Sequence, residues 1–337
     1  MKKLLVLSVL LLLSFVAVAC DGDSADNKSD KLRVALVVTG SIADNGWVQI
    51  GYEGLKEIEK NYDAEIAYNE NTQTAQYTQV IRAYAKDGFN VIIAHGTEFK
   101  DAVYDVAKEY PDTNFFISSS DRTAQLTNGT NVSGIQADGV EQGFLQGVTA
   151  GYIAKNQGSK LVGAVGGVEI AAIRTTIEGF ELGVKYVDPS INVLKAYTGS
   201  FDDINKLKEQ AITFIDQGAT VIMSTANAAT RGGFEATKER GGVSIGANAT
   251  GLLDTYKDNL AFTGNVSMVK AMSTVIGILV EGDFKADNYI SGIAEGVVTM
   301  TMSSTQPDML KVKDDVQKIY DDIMSGKINV TELYSKK

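Results

Sequence analysis

Residues 32–58 read LRVALVVTGSIADNGWVQIGYEGLKEI, and the two ends of this stretch follow different periods. Leu32 to Val38 is a nearly unbroken apolar, β-branched run of the kind that fills the middle of a parallel sheet. Thr39-Gly40-Ser41 ends it. Trp47, Ile50, Gly51, Gly54, Leu55 and Ile58 then recur on one helical face. A buried strand, a glycine-containing loop and an amphipathic helix make the opening of a βα unit.

The same grammar repeats outward from that unit. Strand-like runs at 65–68, 91–94, 114–117 and 132–135 alternate with helical patterns at 75–86 and 100–109. After a helical stretch at 140–155, strands are expected at 161–165, 191–196, 221–224 and 243–246, with helices at 173–187, 204–217 and 233–239 between them. Alternating β and α elements predict parallel sheets covered by helices on both faces. The remaining pieces, strands at 261–265 and 296–302 and helices at 268–280 and 312–324, are too few for a third domain. They are expected to complete two sheets, with the chain crossing between them near Gln136, Gly264 and Glu295. This predicts an α/β protein of two doubly wound lobes, 32–136 plus 265–295 and 137–264 plus 296–337. A ligand cleft is expected at the carboxyl ends of the strands.

The N-terminus reads as a leader. Met1-Lys2-Lys3 is followed by an apolar stretch from Leu4 to Val16 and by small residues Ala17-Val18-Ala19 before Cys20, the single cysteine. The stretch is short for a membrane span and fits a signal peptide over 1–19. Cys20 is expected to carry lipid as the mature N-terminus, the alternative being a cleaved leader followed by cysteine by coincidence. Residues 20–31, polar and without a large apolar side chain, read as a tether of about 20 Å reach. With 42 acidic and 31 basic side chains, a net charge of −11 and no basic cluster, nucleic acid and anionic lipid headgroups are poor partners. The expected attachment to a membrane is through the lipid alone.

Signatures of catalysis are scarce. One histidine, His95, excludes a site of several imidazoles. No G-x-S-x-G elbow, phosphate-binding loop or dinucleotide fingerprint occurs, and no cofactor is expected. A lipid-anchored nucleoside hydrolase would need an acidic metal cluster at the first strand, where Val38-Thr39-Gly40-Ser41 stands instead. Asp202-Asp203 reads as the cap of the helix beginning at Ile204.

Loops that follow strands carry the binding expectation. Asp44-Asn45-Gly46-Trp47 puts the single tryptophan on the first helical turn, where it serves either the core or a ligand platform, and its Asp, Asn and Gly neighbours favour an open site with a planar ligand. His95 follows the 91–94 strand and either faces the ligand or bonds to backbone. Asn227 and Asn265, also just past strands, are candidates for bonding a ligand edge.

From Leu32 to Met302 the chain resembles the basic membrane protein group of ABC-transporter lipoproteins, which includes purine nucleoside receptors. The resemblance rests on Asp44-Asn45-Gly46-Trp47 with Tyr52-Glu53-Gly54, on Ala107 to Asp112, on Ala164-Val165-Gly166-Gly167, on Gly199 to Asp203 and on Ile245-Gly246-Ala247-Asn248. It implies a type I periplasmic-binding fold, an ABC permease partner and a heterocycle held between two aromatics, here Trp47 and Phe201; the protein is expected to be a monomer. It also implies edge contacts from Asn45, Ser119 or Ser120, Gly246 and Asn248. Val48 stands where the group has Asn, the run 118–120 is all serine where an Asp often stands, and Asn248 replaces the Asp that binds ribose hydroxyls. Within the expected class of purine base or nucleoside, these neutral groups imply a ligand with fewer hydroxyl donors, such as a free base, with a riboflavin-like heterocycle as an alternative. A sensor subunit using the same fold is the alternative to a transport receptor.

Overall fold

Val34, Leu36 and Val38 enter one buried cluster while Ala35 and Val37 enter another. Successive side chains of a strand point to opposite faces, so this first strand is covered on both. The computed structural model describes residues 31–43, 47–118 and 131–337. The leader, Cys20 and nearly all of the tether lie outside them.

The first sheet begins with β1 (Arg33–Val37), α1 (Trp47–Tyr62), β2 (Glu65–Asn69), α2 (Tyr77–Lys86), β3 (Val91–Ala94), α3 (Lys100–Ala107), β4 (Asn114–Ser118) and β5 (Val132–Ala137). The chain continues with α4 (Gly139–Asn156), β6 (Leu161–Gly166), α5 (Ala171–Val187), β7 (Asn192–Tyr197), α6 (Ile204–Asp216), β8 (Val221–Thr225), α7 (Arg231–Arg240), β9 (Val243–Ala247) and β10 (Leu260–Val266). It ends with α8 (Met268–Val280), β11 (Asn288–Ser291), β12 (Val298–Met302), α9 (Pro307–Met324) and α10 (Val330–Ser335).

Among the described residues two six-stranded sheets form, in the orders β2-β1-β3-β4-β5-β11 and β7-β6-β8-β9-β10-β12. The first five strands follow the same order and direction in both sheets. In each, the second strand of the half forms the edge beside the first, and the third returns to the other side of the first. The sheets are parallel except that β12 runs antiparallel to β10. That edge departs from the all-parallel expectation because only the short segment after Ser291 joins β11 to β12, with no crossover helix to reverse the direction.

Helix α1 packs with α8 on one face of the first sheet, and α2 and α3 cover the other. In the second, α4, α5 and α9 lie on one face and α6 with α7 on the other. The contact between α4 and α5 is backbone on backbone. A Cβ on Gly143 would lie 2.0 Å from the Thr176 carbonyl oxygen, and one on Gly147 would lie 2.0 Å from that of Phe180.

The three crossings are bonded to one another. Asp138 caps α4 by accepting from Val140 N at 2.9 Å, and its own N–H donates to the Ser291 carbonyl at 2.8 Å. Ile293 N donates to Glu141 Oε2 at 2.6 Å, and Ser267 N donates to the Val297 carbonyl at 2.9 Å. Helix α9 starts at Pro307 rather than Val312, because Pro fits the first helical position and the Gln306 side chain accepts from Met309 N at 2.7 Å. Among the described residues no helix is long and apolar enough to cross a membrane.

Candidate ligand site at two switch points

In each sheet the connections diverge between one pair of neighbouring strands, β1 with β3 and β6 with β8. Open α/β sheets bind ligands beyond the carboxyl ends of the strands at such a switch point. Trp47, His95 and Asn227 lie just after β1, β3 and β8, while Phe201, Asn248 and Asn265 follow or end the neighbouring strands β7, β9 and β10.

At the first switch point Trp47 opens α1 and His95 follows β3. The two rings are stacked, 4.0 Å apart and 13° from parallel. His95 is 1% exposed and Ser118 is fully buried, with Ser118 Oγ 2.7 Å from His95 Nδ1. A hydroxyl so enclosed has no route to a substrate, so this serine–histidine pair is packing and not a nucleophile with its base. His95 therefore backs Trp47 from inside the fold. The loop before Trp47 is held from β2: Asn71 N donates to the Gly40 carbonyl at 3.0 Å and Ile42 N to Glu70 Oε2 at 3.0 Å. Val48, the neighbour of Trp47, is buried in the core cluster and not turned to a ligand.

At the second switch point Phe201, half-buried, follows β7 and rests on the loop after β6. Gly199, at φ 74°, donates its N–H to the Gly167 carbonyl at 3.0 Å. The Ser200 hydroxyl accepts from Asp202 N and Asp203 N, both at 3.1 Å, and Asp203 caps α6 through Lys206 N at 3.0 Å. The Phe201 carbonyl accepts from Ala229 N at 2.9 Å, tying it to the turn that carries exposed Asn227.

The amides beyond β9 and β10 are largely committed to the fold. Asn248, exposed and at φ 51°, accepts from Val266 N at 2.8 Å through Oδ1 and donates its own N–H to the Gly264 carbonyl at 2.9 Å. Asn265 Oδ1 accepts from Thr250 Oγ1 at 3.0 Å, while its Nδ2 donates to Thr301 Oγ1 at 3.2 Å. Gly246 is buried, its carbonyl accepting from Gln146 Nε2 at 2.8 Å, and a Cβ there would meet the Phe234 ring at 2.9 Å. Asp44, Asn45, Ser119 and Ser120 lie outside the described residues. The sequence reading missed the parts played by Gly51, Gly167 and Thr301, although a glycine in mid-helix, as Gly51 is, already hints at a close approach.

Among the described residues no cluster of His, Cys, Asp or Glu is arranged to hold a metal ion.

The topology has solved counterparts. An ABC transporter solute-binding protein from Aeropyrum pernix K1 matches at a TM-score of 0.65 and 21% identity, over 88% of this chain and 92% of that one. A transcriptional activator of the comK gene from Bacillus halodurans matches at 0.70 and 22%, over 87% and 97%. At these identities the likeness speaks for the fold, which is the two-sheet architecture of periplasmic-type solute-binding proteins. The chain belongs to the ABC transporter substrate-binding protein, PnrA-like, family, whose model matches residues 31–334.

Among curated relatives, the transcriptional activator protein med of Bacillus subtilis is 27% identical over 89% of both chains. A purine-binding protein of Brucella abortus is 25% identical over 90% of this chain and 84% of its own. The ABC transporter nucleoside-binding protein BmpA of Lactococcus lactis subsp. cremoris is 25% identical over 98% and 99%. The family is one of transport substrate-binding proteins and not of enzymes, and membership implies a small-molecule ligand, a permease partner and work outside the cytoplasm.

Proposed function

We propose that this protein captures a planar heterocycle, a purine base or a nucleoside, between Trp47 and Phe201 and delivers it to an ABC permease. The observation that supports this reading is one half-buried aromatic beside each switch point, Trp47 after β1 and Phe201 against Gly167 after β6 and bonded to Ala229 after β8. An indole and a phenyl ring offer flat apolar faces, and stacked pairs contribute about 0.5–1.5 kcal/mol beyond the area they bury. Asn45, Asn227, Asn248 and one of Ser119 and Ser120 bond the ligand edge in this scheme. Catalysis has no part in it. The protein acts as a monomer, 1–19 is its leader and Cys20 its lipid anchor, with 20–31 as tether, and the lobes 32–136 plus 265–295 and 137–264 plus 296–337 flank the cleft.

The name borne by the 27% identical relative, a transcriptional activator, favours as a second reading a surface sensor that signals ligand capture to a partner. Deleting the chain from its host separates the two: a receptor loses uptake of the ligand, while a sensor loses only the response to it.

Mass spectrometry of ligand released from the purified protein tests the ligand class directly. A titration with adenine, guanine, hypoxanthine, their nucleosides and riboflavin follows, read by fluorescence of the single indole. Quenching by the purines is expected. Tight binding of a sugar or an amino acid with Trp47 unaffected would end the stacking reading.

A further inference from the structure

His95 is the one imidazole in the chain, and both of its ring nitrogens face named groups. Nε2 lies 2.9 Å from the Trp47 carbonyl oxygen and Nδ1 lies 2.7 Å from Ser118 Oγ. A carbonyl only accepts, so Nε2 carries a hydrogen, and on the neutral ring the Ser118 hydroxyl donates to the bare Nδ1. One bond therefore comes from the first residue of α1 and the other from the last residue of β4. Together they fix both the tilt and the slide of the imidazole. Gly51, one turn along α1 from Trp47, leaves the room this ring needs, since a Cβ there would lie 2.6 Å from His95 Cδ2 and 2.9 Å from Nε2.

We infer that His95 is a positioning residue: clamped between Ser118 and the Trp47 carbonyl, it holds the indole flat and leaves a single indole face for a ligand ring. This rests on the reading of Trp47 as the ligand platform. An aromatic already fixed by a rigid backing has little freedom left to lose when a ligand docks, so more of the stacking energy appears as affinity. The backing also sets stoichiometry, because the face covered by His95 can take no second ring.

The test has two arms. In ligand-free protein, near-ultraviolet circular dichroism and fluorescence anisotropy report how firmly the single indole is held. His95→Ala should lose most of the indole band, and His95→Phe, which keeps a ring under Trp47, should retain it, with far-ultraviolet spectra unchanged in both. An unchanged indole band in His95→Ala overturns the inference. Should His95→Ala fail to fold, Ser118→Ala removes one clamp bond without a large cavity and should shift the band in the same direction; no shift there overturns it equally.

The second arm is calorimetric titration with hypoxanthine. His95→Ala should weaken binding about tenfold in the native background and by less than about twofold in Trp47→Ala, the mark of an effect that passes through Trp47. Equal loss in both backgrounds overturns the positioning role. If Trp47→Ala leaves hypoxanthine binding intact, or if hypoxanthine does not bind at all, it is the platform reading that fails, and the spectroscopic arm still decides what His95 does.

Discussion

Phe201 lies against the bare Cα of Gly167: a Cβ added there would stand 2.6 Å from Phe201 Cδ1 and 2.9 Å from both its Cε1 and the Ser200 carbonyl oxygen. Backbone blocks one retreat and the ring must take the displacement. Gly167→Ala should therefore move Phe201 and weaken purine binding about tenfold or more, with a much smaller change in thermal midpoint. Calorimetry beside a thermal melt checks this, and unchanged affinity would remove Phe201 from the ligand contact.

Asn248 tests which polar groups meet the ligand. Its Oδ1 is committed to Val266 N, so what the exposed carboxamide offers outward is its two N–H donors. Asn248→Asp keeps the bond to Val266 N and replaces those donors with a carboxylate oxygen. The native protein should bind a free base at least as well as its nucleoside, and the variant should move the ratio toward the nucleoside by about tenfold. Paired titrations of hypoxanthine and inosine give the ratio.

The seam between α4 and α5 tolerates no added carbon. Gly147→Ala sets a Cβ 2.0 Å from the Phe180 carbonyl oxygen and 2.9 Å from Val184 N, and neither backbone atom can turn aside. Overpacking of this kind costs about 1–3 kcal/mol or more. Denaturant unfolding should show the loss, and a control at Gly158, where a Cβ would meet nothing within 4 Å, should lose less despite its positive φ.

Asp188 gives the protein an acid-sensitive contact. The Ser190 hydroxyl, then Lys160 Nζ and the Ser190 N–H, hold its carboxyl well below the usual carboxylate range. A pKa lowered by folding adds stability above the unfolded value and loses it as pH falls through the folded one. Asp188→Asn should thus be less stable than the native protein near neutrality, and the gap should close only below about pH 4. Unfolding free energies measured across that range decide it.

The lipid proposed at Cys20 is testable without the structure. Cys20→Ser should leave a soluble or unprocessed form, while the native protein partitions into detergent. Equal partitioning of the two would remove the lipid.

Much of the fold is legible in the sequence because buried parallel strands write long β-branched runs, and Arg33–Val37, Val91–Ala94 and Val221–Thr225 are of that kind. Strand β11, Asn-Tyr-Ile-Ser, is four residues at a sheet edge with three of them only half-buried, so its strand character comes from pairing with Gly134 to Ala137 and not from its own pattern. Helix α10 is six residues long and docks through Val330 against the second core, too short to announce itself by period. At the site, Trp47 stands out as an aromatic in a polar loop, while Phe201 is marked only by the family resemblance. The burial of His95 under Trp47 does not stand out, because it depends on the pairing of Val37 with Ala94, a contact between residues far apart in the chain. Asn248 and Asn265 look alike in sequence, yet the register of β10 commits the second to Thr250 and Thr301 and leaves the first with donors to offer.

The edge strand β11 also constrains how the molecule is made. Synthesis delivers β1 to β5 first, but the strand that closes their sheet is Asn288–Ser291, and every strand of the second sheet except β12 is made before it. N-terminal domains ordinarily finish folding while the rest of a chain is still on the ribosome. Here the β5 edge of the first sheet has no β11 to pair with until the second half is nearly complete, so that sheet is finished late. An exported chain gains from that delay, since a protein that cannot close early remains threadable through a translocation channel.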